Sequence, residues 1–245
     1  MTDTASMFFL GYPKEFKNIC LVYPPKVKDV ISYENFHVCV RSLTLSQEEI
    51  EDEYVKANLE LDKLPTPFEY LLMNALYNLS FRKIVEDAFS IITHEKILFL
   101  FDKKMIAIGD LREVKSVEKL RMMKEEDYFD FQNLVREALG GKAIEPPNPN
   151  EDPRIKKMKA KMRYRDAVKA KQSAKKLDFK STLASISCMG MGLNPLNIGE
   201  LSYASIPTLI GIYQQKEKYE IDVDSLLAGA GKKVHPVYWI KNLDE

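Results

Sequence analysis

The sequence predicts a mainly α chain with a small β component, an α+β protein, and three observations predict it. Capping-box pairs, Ser46 with Glu49 and Thr66 with Glu69, open segments of helical period. Two β-prone runs, 96–101 and 105–109, are separated by only three polar residues, which is hairpin spacing. A proline cluster, Pro146, Pro147 and Pro149, is followed by a dense basic segment and splits the chain in two.

The elements follow in order. The run Asn18-Ile19-Cys20-Leu21-Val22-Tyr23 reads as a strand stopped by Pro24-Pro25, since proline cannot donate to a ladder. A helix is expected over 27–33, while Phe36-His37-Val38-Cys39-Val40 fits strand or helix. Ser46 caps the acidic segment 50–61. Thr66-Pro67-Phe68-Glu69 is the best-marked helix start, with the cap at Thr66, proline at the first helical position and Glu69 at the third. Phe68, Leu71, Leu72, Ala75 and Leu76 follow at helical spacing. Ser80 is expected to cap the next helix, whose apolar stripe holds Ile84, Val85, Ala88, Phe89, Ile91 and Ile92. After the hairpin, 111–123 reads as helix or irregular chain. Residues 128–139 form an amphipathic helix, with Gly140-Gly141 where a left-handed C-cap is needed.

This gives a helix-rich N-terminal domain with short strands over 1–145. A Pro-rich boundary and basic linker follow over 146–176, then a small helical C-terminal domain over 177–245. The last region holds a helix around 198–215, a segment 219–227 and a turn at Gly229-Ala230-Gly231.

The charges balance at 36 Lys+Arg against 36 Asp+Glu, but they are unevenly placed. Between Arg154 and Lys176 stand eleven Lys/Arg and one acid, Asp166, a net +10, so the rest of the chain carries −10. Three cysteines without a CxxC make no disulfide framework and fit a reducing compartment. The first residues lack a secretory pattern and no apolar run is long enough to span a bilayer, so a cytoplasmic protein with no membrane partner is expected.

Candidate chemistry is sparse. Gly229-Ala230-Gly231-Lys232-Lys233 departs from a phosphate loop, with Leu226 where the first glycine belongs and Lys233 where Ser or Thr should hold magnesium. Gly190-Met191-Gly192 lacks a clear preceding strand and the third glycine. His37 and Cys39 could share a metal only on a strand face, and further ligands are missing. No nucleophile–base signature stands out. The expectation is a binding or assembly protein rather than an enzyme, with no cofactor and no metal.

The basic segment, with Arg154, Lys156, Lys157, Lys159, Lys161, Arg163 and Arg165, favours helix by composition. Three readings stay open: a solvated linker helix, docking on an acidic partner or on this protein's own acidic body, and binding of nucleic acid or an anionic membrane. Only Tyr164 interleaves, which argues against a stacking single-strand binder. Any nucleic-acid binding is expected to be weak and non-specific.

The string Ile19-Cys20-Leu21-Val22-Tyr23-Pro24-Pro25-Lys26-Val27-Lys28-Asp29-Val30-Ile31 resembles the opening of small tail-module proteins from phages of Gram-positive bacteria. Thr66-Pro67-Phe68-Glu69-Tyr70-Leu71-Leu72, Ile106-Ala107-Ile108-Gly109-Asp110 and Asp130-Phe131-Gln132 extend the resemblance. So do Ser225-Leu226-Leu227-Ala228-Gly229 and His235-Pro236-Val237-Tyr238-Trp239-Ile240. In layout the chain is most similar to the tail assembly chaperones. That resemblance implies an N-terminal part that coats the tape measure protein and a C-terminal part that recruits tail tube subunits. Phe68, Leu71, Leu72, Phe81 and Phe89 are the expected client-binding residues; Tyr203, Tyr213 and Trp239 are the expected tube-subunit contacts. A homo-oligomer stays open. The alternatives are a baseplate or connector subunit of the virion, and a nucleic-acid-binding regulator.

Overall fold

The computed structural model describes residues 4–57, 59, 64–109, 120–146, 151–152, 154–155, 158–163, 165–166, 178–189, 192–229 and 234–238. It is mainly α with two small antiparallel sheets. Helix α1 (Thr4–Phe9) precedes a hairpin of β1 (Lys14–Phe16) and β2 (Cys20–Val22). The connection puts Lys17 and Asn18 at positive φ. Helices α2 (Val27–Ser32), α3 (Phe36–Thr44), α4 (Gln47–Lys56), α5 (Pro67–Tyr77) and α6 (Leu79–Thr93) follow. Strands β3 (Ile97–Leu100), β4 (Met105–Ile108) and β5 (Arg121–Met123) form the second sheet in that spatial order. Helix α7 (Glu125–Ala138) closes the N-terminal region, and α8 (Phe179–Cys188) and α9 (Ser205–Leu227) follow the basic segment.

Local chemistry accounts for the element starts. Ser46 Oγ accepts from the Glu49 amide at 3.2 Å, and the Glu49 carboxylate accepts from the Ser46 amide at 2.9 Å. Thr66 and Glu69 repeat the exchange, so each box satisfies two amides that the helix leaves free. The ambiguous 36–40 run is helix, because Phe36, Cys39, Val40 and Leu43 fall on one buried face. The expected cap at Ser80 is corrected: Asn78 caps α6, accepting from the Phe81 amide at 3.0 Å, and Ser80 lies inside the first turn. Asn78 also donates its own amide to Asn74 at the end of α5, so one residue closes one helix and opens the next. Of 111–123, residues 111–119 lie outside the described residues, and Arg121–Met123 is strand.

The main core joins α3, α5, α6 and α7 with the β1–β2 hairpin. Phe89 and Phe131 stack with centroids 5.3 Å apart, Phe16 tilts on Phe131 at 5.6 Å, and Phe68 meets Tyr128 at 5.1 Å. Helix α7 also completes α3. Tyr128, Gln132 and Arg136 are spaced one turn apart and donate to the carbonyls of Leu43, Leu45 and Thr44 at the end of α3. These are the carbonyls that a helix end leaves without intrahelical partners.

The C-terminal region returns to the N-terminal one. Proline stops β2, and the extended chain at Pro25 to Val27 then pairs with residues 201–203. Pro25 has no N–H, but its carbonyl accepts from the Tyr203 amide at 2.8 Å, and the Val27 amide donates to Leu201 at 3.0 Å. Ser202 Oγ donates to the Phe8 carbonyl at 2.7 Å. A second core unites Val27 with Ile186, Ile198 and Ile206. Packing therefore crosses the expected division between 1–145 and 177–245, because the other buried members of Val27's cluster, Ile186, Ile198 and Ile206, lie in the C-terminal region. Gly140 ends α7 at φ 77°, and a Cβ there would stand 2.8 Å from the Ala204 carbonyl oxygen. The glycine thus serves both the left-handed cap and the close approach of this returning segment. The helix expected over 198–215 is instead a 3₁₀ turn at Ile198–Glu200 followed by α9, which also absorbs segment 219–227. Pro207 is tolerated in the first turn of α9, where its missing N–H costs no helical bond.

Candidate functional site

A groove of about 640 Å³ lies where the first turns of α4, α5 and α7 converge. Phe68 and Tyr128 line it but are only 1% and 2% exposed, so its accessible apolar lining is Pro67, Phe129, Ile144 and Pro146. Its outer wall is held in place by Asn133, whose amide donates to the Ile144 carbonyl at 3.1 Å and accepts the Ile144 amide at 3.0 Å. This reciprocal pair lets a side chain act as a strand would. Five carboxylates line the groove, Glu48, Glu51, Glu125, Glu145 and Glu151, against a single cation among the described residues, Lys159.

The basic segment reaches this acidic face. Residues 158–163 are helical, Ala160 is buried, and Arg163 lies across α4. Its guanidinium meets Glu48 at 3.3 Å, Glu51 at 3.3 Å and Asp52 at 3.0 Å, and a second N–H from Nε reaches Asp52 at 3.2 Å. Glu51 is only 6% exposed, so Arg163 neutralises a carboxylate that water scarcely reaches. Lys159 pairs with Glu151 nearby. Of the three readings of the segment, docking on the protein's own acidic body describes Arg163. Arg154, Lys161 and Arg165 are exposed, and Lys156 and Lys157 lie outside the described residues.

No protein-family model, curated protein or solved structure matches this chain.

The expected client-binding residues are corrected in part. Phe68, Leu71, Leu72 and Phe89 are buried in the main core, and Phe81 is partly buried against it, so none presents an open face. Helical spacing identified the apolar stripe, and the stripe packs inward. What the same helices leave exposed is their junction: Met73 at 51%, Leu76 at 44%, Tyr77 at 83% and Leu79 at 74%. Met73, Leu76 and Tyr77 stand three and four residues apart, hence on one face of α5. Tyr203 is wedged between the two cores, 5.7 Å from the Phe36 ring and 6.1 Å from Phe179, and serves packing. Tyr213 is half-buried on α9, and Trp239 lies outside the described residues.

Other reactive groups are quiet or separate. Burial pushes the Cys20 thiol up to about 12 and raises Cys39, so both stay protonated, while Cys188 is exposed. His37 edges a smaller cavity of about 310 Å³ beside Tyr203 and Phe179. Among the described residues, no group of His, Cys, Asp and Glu is arranged to hold a metal ion. None of their helices is long and apolar enough to cross a membrane.

Sequence reasoning missed Glu48, Glu51 and Glu125 as groove residues and Asp52 as part of the seat of Arg163. The +10/−10 charge asymmetry was the available signal, but it identifies neither which acids face the strap nor which face a cavity.

Proposed function

We propose that this protein is a tail assembly chaperone that works in the host cytoplasm, holding the tape measure protein and bringing tail tube subunits to it. The observation that supports client binding is the exposed apolar junction of α5 and α6. Four large apolar side chains at one corner, Tyr77 83% exposed, are costly to leave in water and are the composition of a surface meant to be covered. A helical client with an apolar stripe would cover them as amphipathic helices commonly do. The resemblance in layout supports the tape measure protein as the client, and the exposed corner supports a client surface at this end of α5.

The test uses the full chain co-expressed with the tape measure protein. Tyr77→Ser combined with Leu79→Ser removes apolar area at exposed positions and should leave the thermal midpoint unchanged. The same pair should abolish tape measure solubilisation. Tyr213→Ala and Trp239→Ala should leave solubilisation intact and weaken capture of tail tube subunits. Undiminished solubilisation by the double variant would overturn the proposed client surface. Stoichiometric presence of the protein in finished particles would replace the chaperone by a baseplate or connector subunit.

A further inference from the structure

The groove at α4, α5 and α7 lies apart from the α5–α6 corner and has its own chemistry. Its lining is apolar at Pro67, Phe129, Ile144 and Pro146 and its rim is acidic, with five carboxylates facing one lysine among the described residues. Glu48 and Glu125 occupy first turns, where a carboxylate offsets the helix dipole, so their presence alone implies no ligand. Glu51, Glu145 and Glu151 have no such role. The chain itself supplies the second observation. Arg163 is an arginine on a helical segment, seated on Glu48, Glu51 and Asp52, and the first two of these also line the groove. The acidic face is already holding a cationic helix, its own.

We propose that this groove docks a cationic amphipathic helix of a partner protein, and that the basic strap competes for it through Arg163. The apolar lining takes the apolar stripe of such a helix, and the rim pairs its Lys and Arg side chains. While the strap holds Glu48 and Glu51 through Arg163 and Glu151 through Lys159, three of the rim's five carboxylates are spent. The apparent affinity for the partner is reduced by the fraction of molecules with the strap docked. Asp52 belongs to the competitor's seat alone: it takes two bonds from Arg163 and does not line the groove.

The test titrates a fluorescent Lys/Leu amphipathic helical peptide, and its Glu/Leu counterpart, into the full chain. Asp52→Asn loosens the seat of Arg163 without replacing any residue that lines the groove, and Arg163→Gln removes the competing cation. Both should bind the cationic peptide at least about threefold more tightly than wild type. Asp52→Asn removes a negative charge, so simple attraction between opposite charges predicts the reverse. Glu125→Gln should weaken binding, added salt should weaken it further, and the acidic peptide should not bind. Circular dichroism of each variant checks folding, and Asp52→Asn keeps the test open if Arg163→Gln unfolds. Unchanged or weaker binding by folded Asp52→Asn overturns the competition. Binding that ignores Glu125→Gln, or is absent in every variant, or prefers the acidic peptide, overturns the groove. Tyr77→Ser should leave peptide binding unaltered, so this inference and the chaperone reading fail on different results.

Discussion

Gln132 shows how much one neutral side chain can organise. It is 1% exposed on α7, and its amide nitrogen donates to Leu43 at 3.0 Å and to Leu45 at 2.9 Å. Leu43 is served by the Tyr128 hydroxyl as well, but Leu45 has no other side-chain donor among the described residues. Gln132→Leu keeps the volume roughly constant and removes both bonds, leaving the carbonyl of half-buried Leu45 without its side-chain donor. We expect a loss of about 1–3 kcal/mol, read from the urea midpoint at constant slope. An unchanged midpoint would mean that water replaces the amide. Gln132 stands in a sequence pattern that marks only an amphipathic helix, and nothing in that pattern says its target lies on α3.

The elements meet through a few charged and small residues. Glu200, in the 3₁₀ turn before α9, accepts from Lys26 at 2.7 Å and from Lys28 at 2.6 Å at the start of α2. Those two ammonium groups lower its carboxyl from the ordinary 4.5 to about 2. A depressed carboxylate pKa stabilises the fold above the unfolded value and ceases to do so as pH falls through the folded value. The contact should therefore be intact above about 4.5 and lost between there and about 2. All three side chains are largely exposed, so the effect is small and screened by salt. Comparing wild type with Glu200→Gln across that interval should give stability curves that converge as pH falls. Parallel curves would dismiss the ion pair as a contributor.

At the scale of the whole molecule, the strap and the returning C-terminal segment decide how the chain holds together. Val27 is fully buried, and Ile186, Ile198 and Ile206 share its core. A chain ended after residue 176 would expose Val27 and the carbonyls of Phe8 and Pro25 that now accept from Ser202 and Tyr203. Such a truncation should lower the thermal midpoint and increase binding of a dye for exposed apolar surface, instead of yielding a neatly separable domain. An unshifted midpoint would establish that residues 1–176 fold alone. Functional tests of the C-terminal region are accordingly better made with point substitutions.

The fold class, both Ser/Thr–Glu capping boxes, the β3–β4 hairpin and the glycine end of α7 were legible in the sequence. Each rests on bonds between residues a few positions apart, and such bonds depend on residue type and spacing alone. The cap at Asn78 lay within the same range but was hidden by Ser80, an equally good capping type two residues on. Four of the residues expected to bind a client turn out to be buried for a different reason. Helical period shows that Phe68, Leu71, Leu72 and Phe89 share a stripe, but only packing decides that the stripe is covered and that Tyr77 and Leu79 are not. The groove was beyond reach altogether. It exists because α7 crosses the end of α3 and brings Glu125 beside Thr66, 59 residues away, at 2.7 Å. Arg163 then finds Asp52 across 111 residues. Composition announced opposite charges, and tertiary packing chose the partners, because long-range pairing is set by which surfaces the core leaves adjacent.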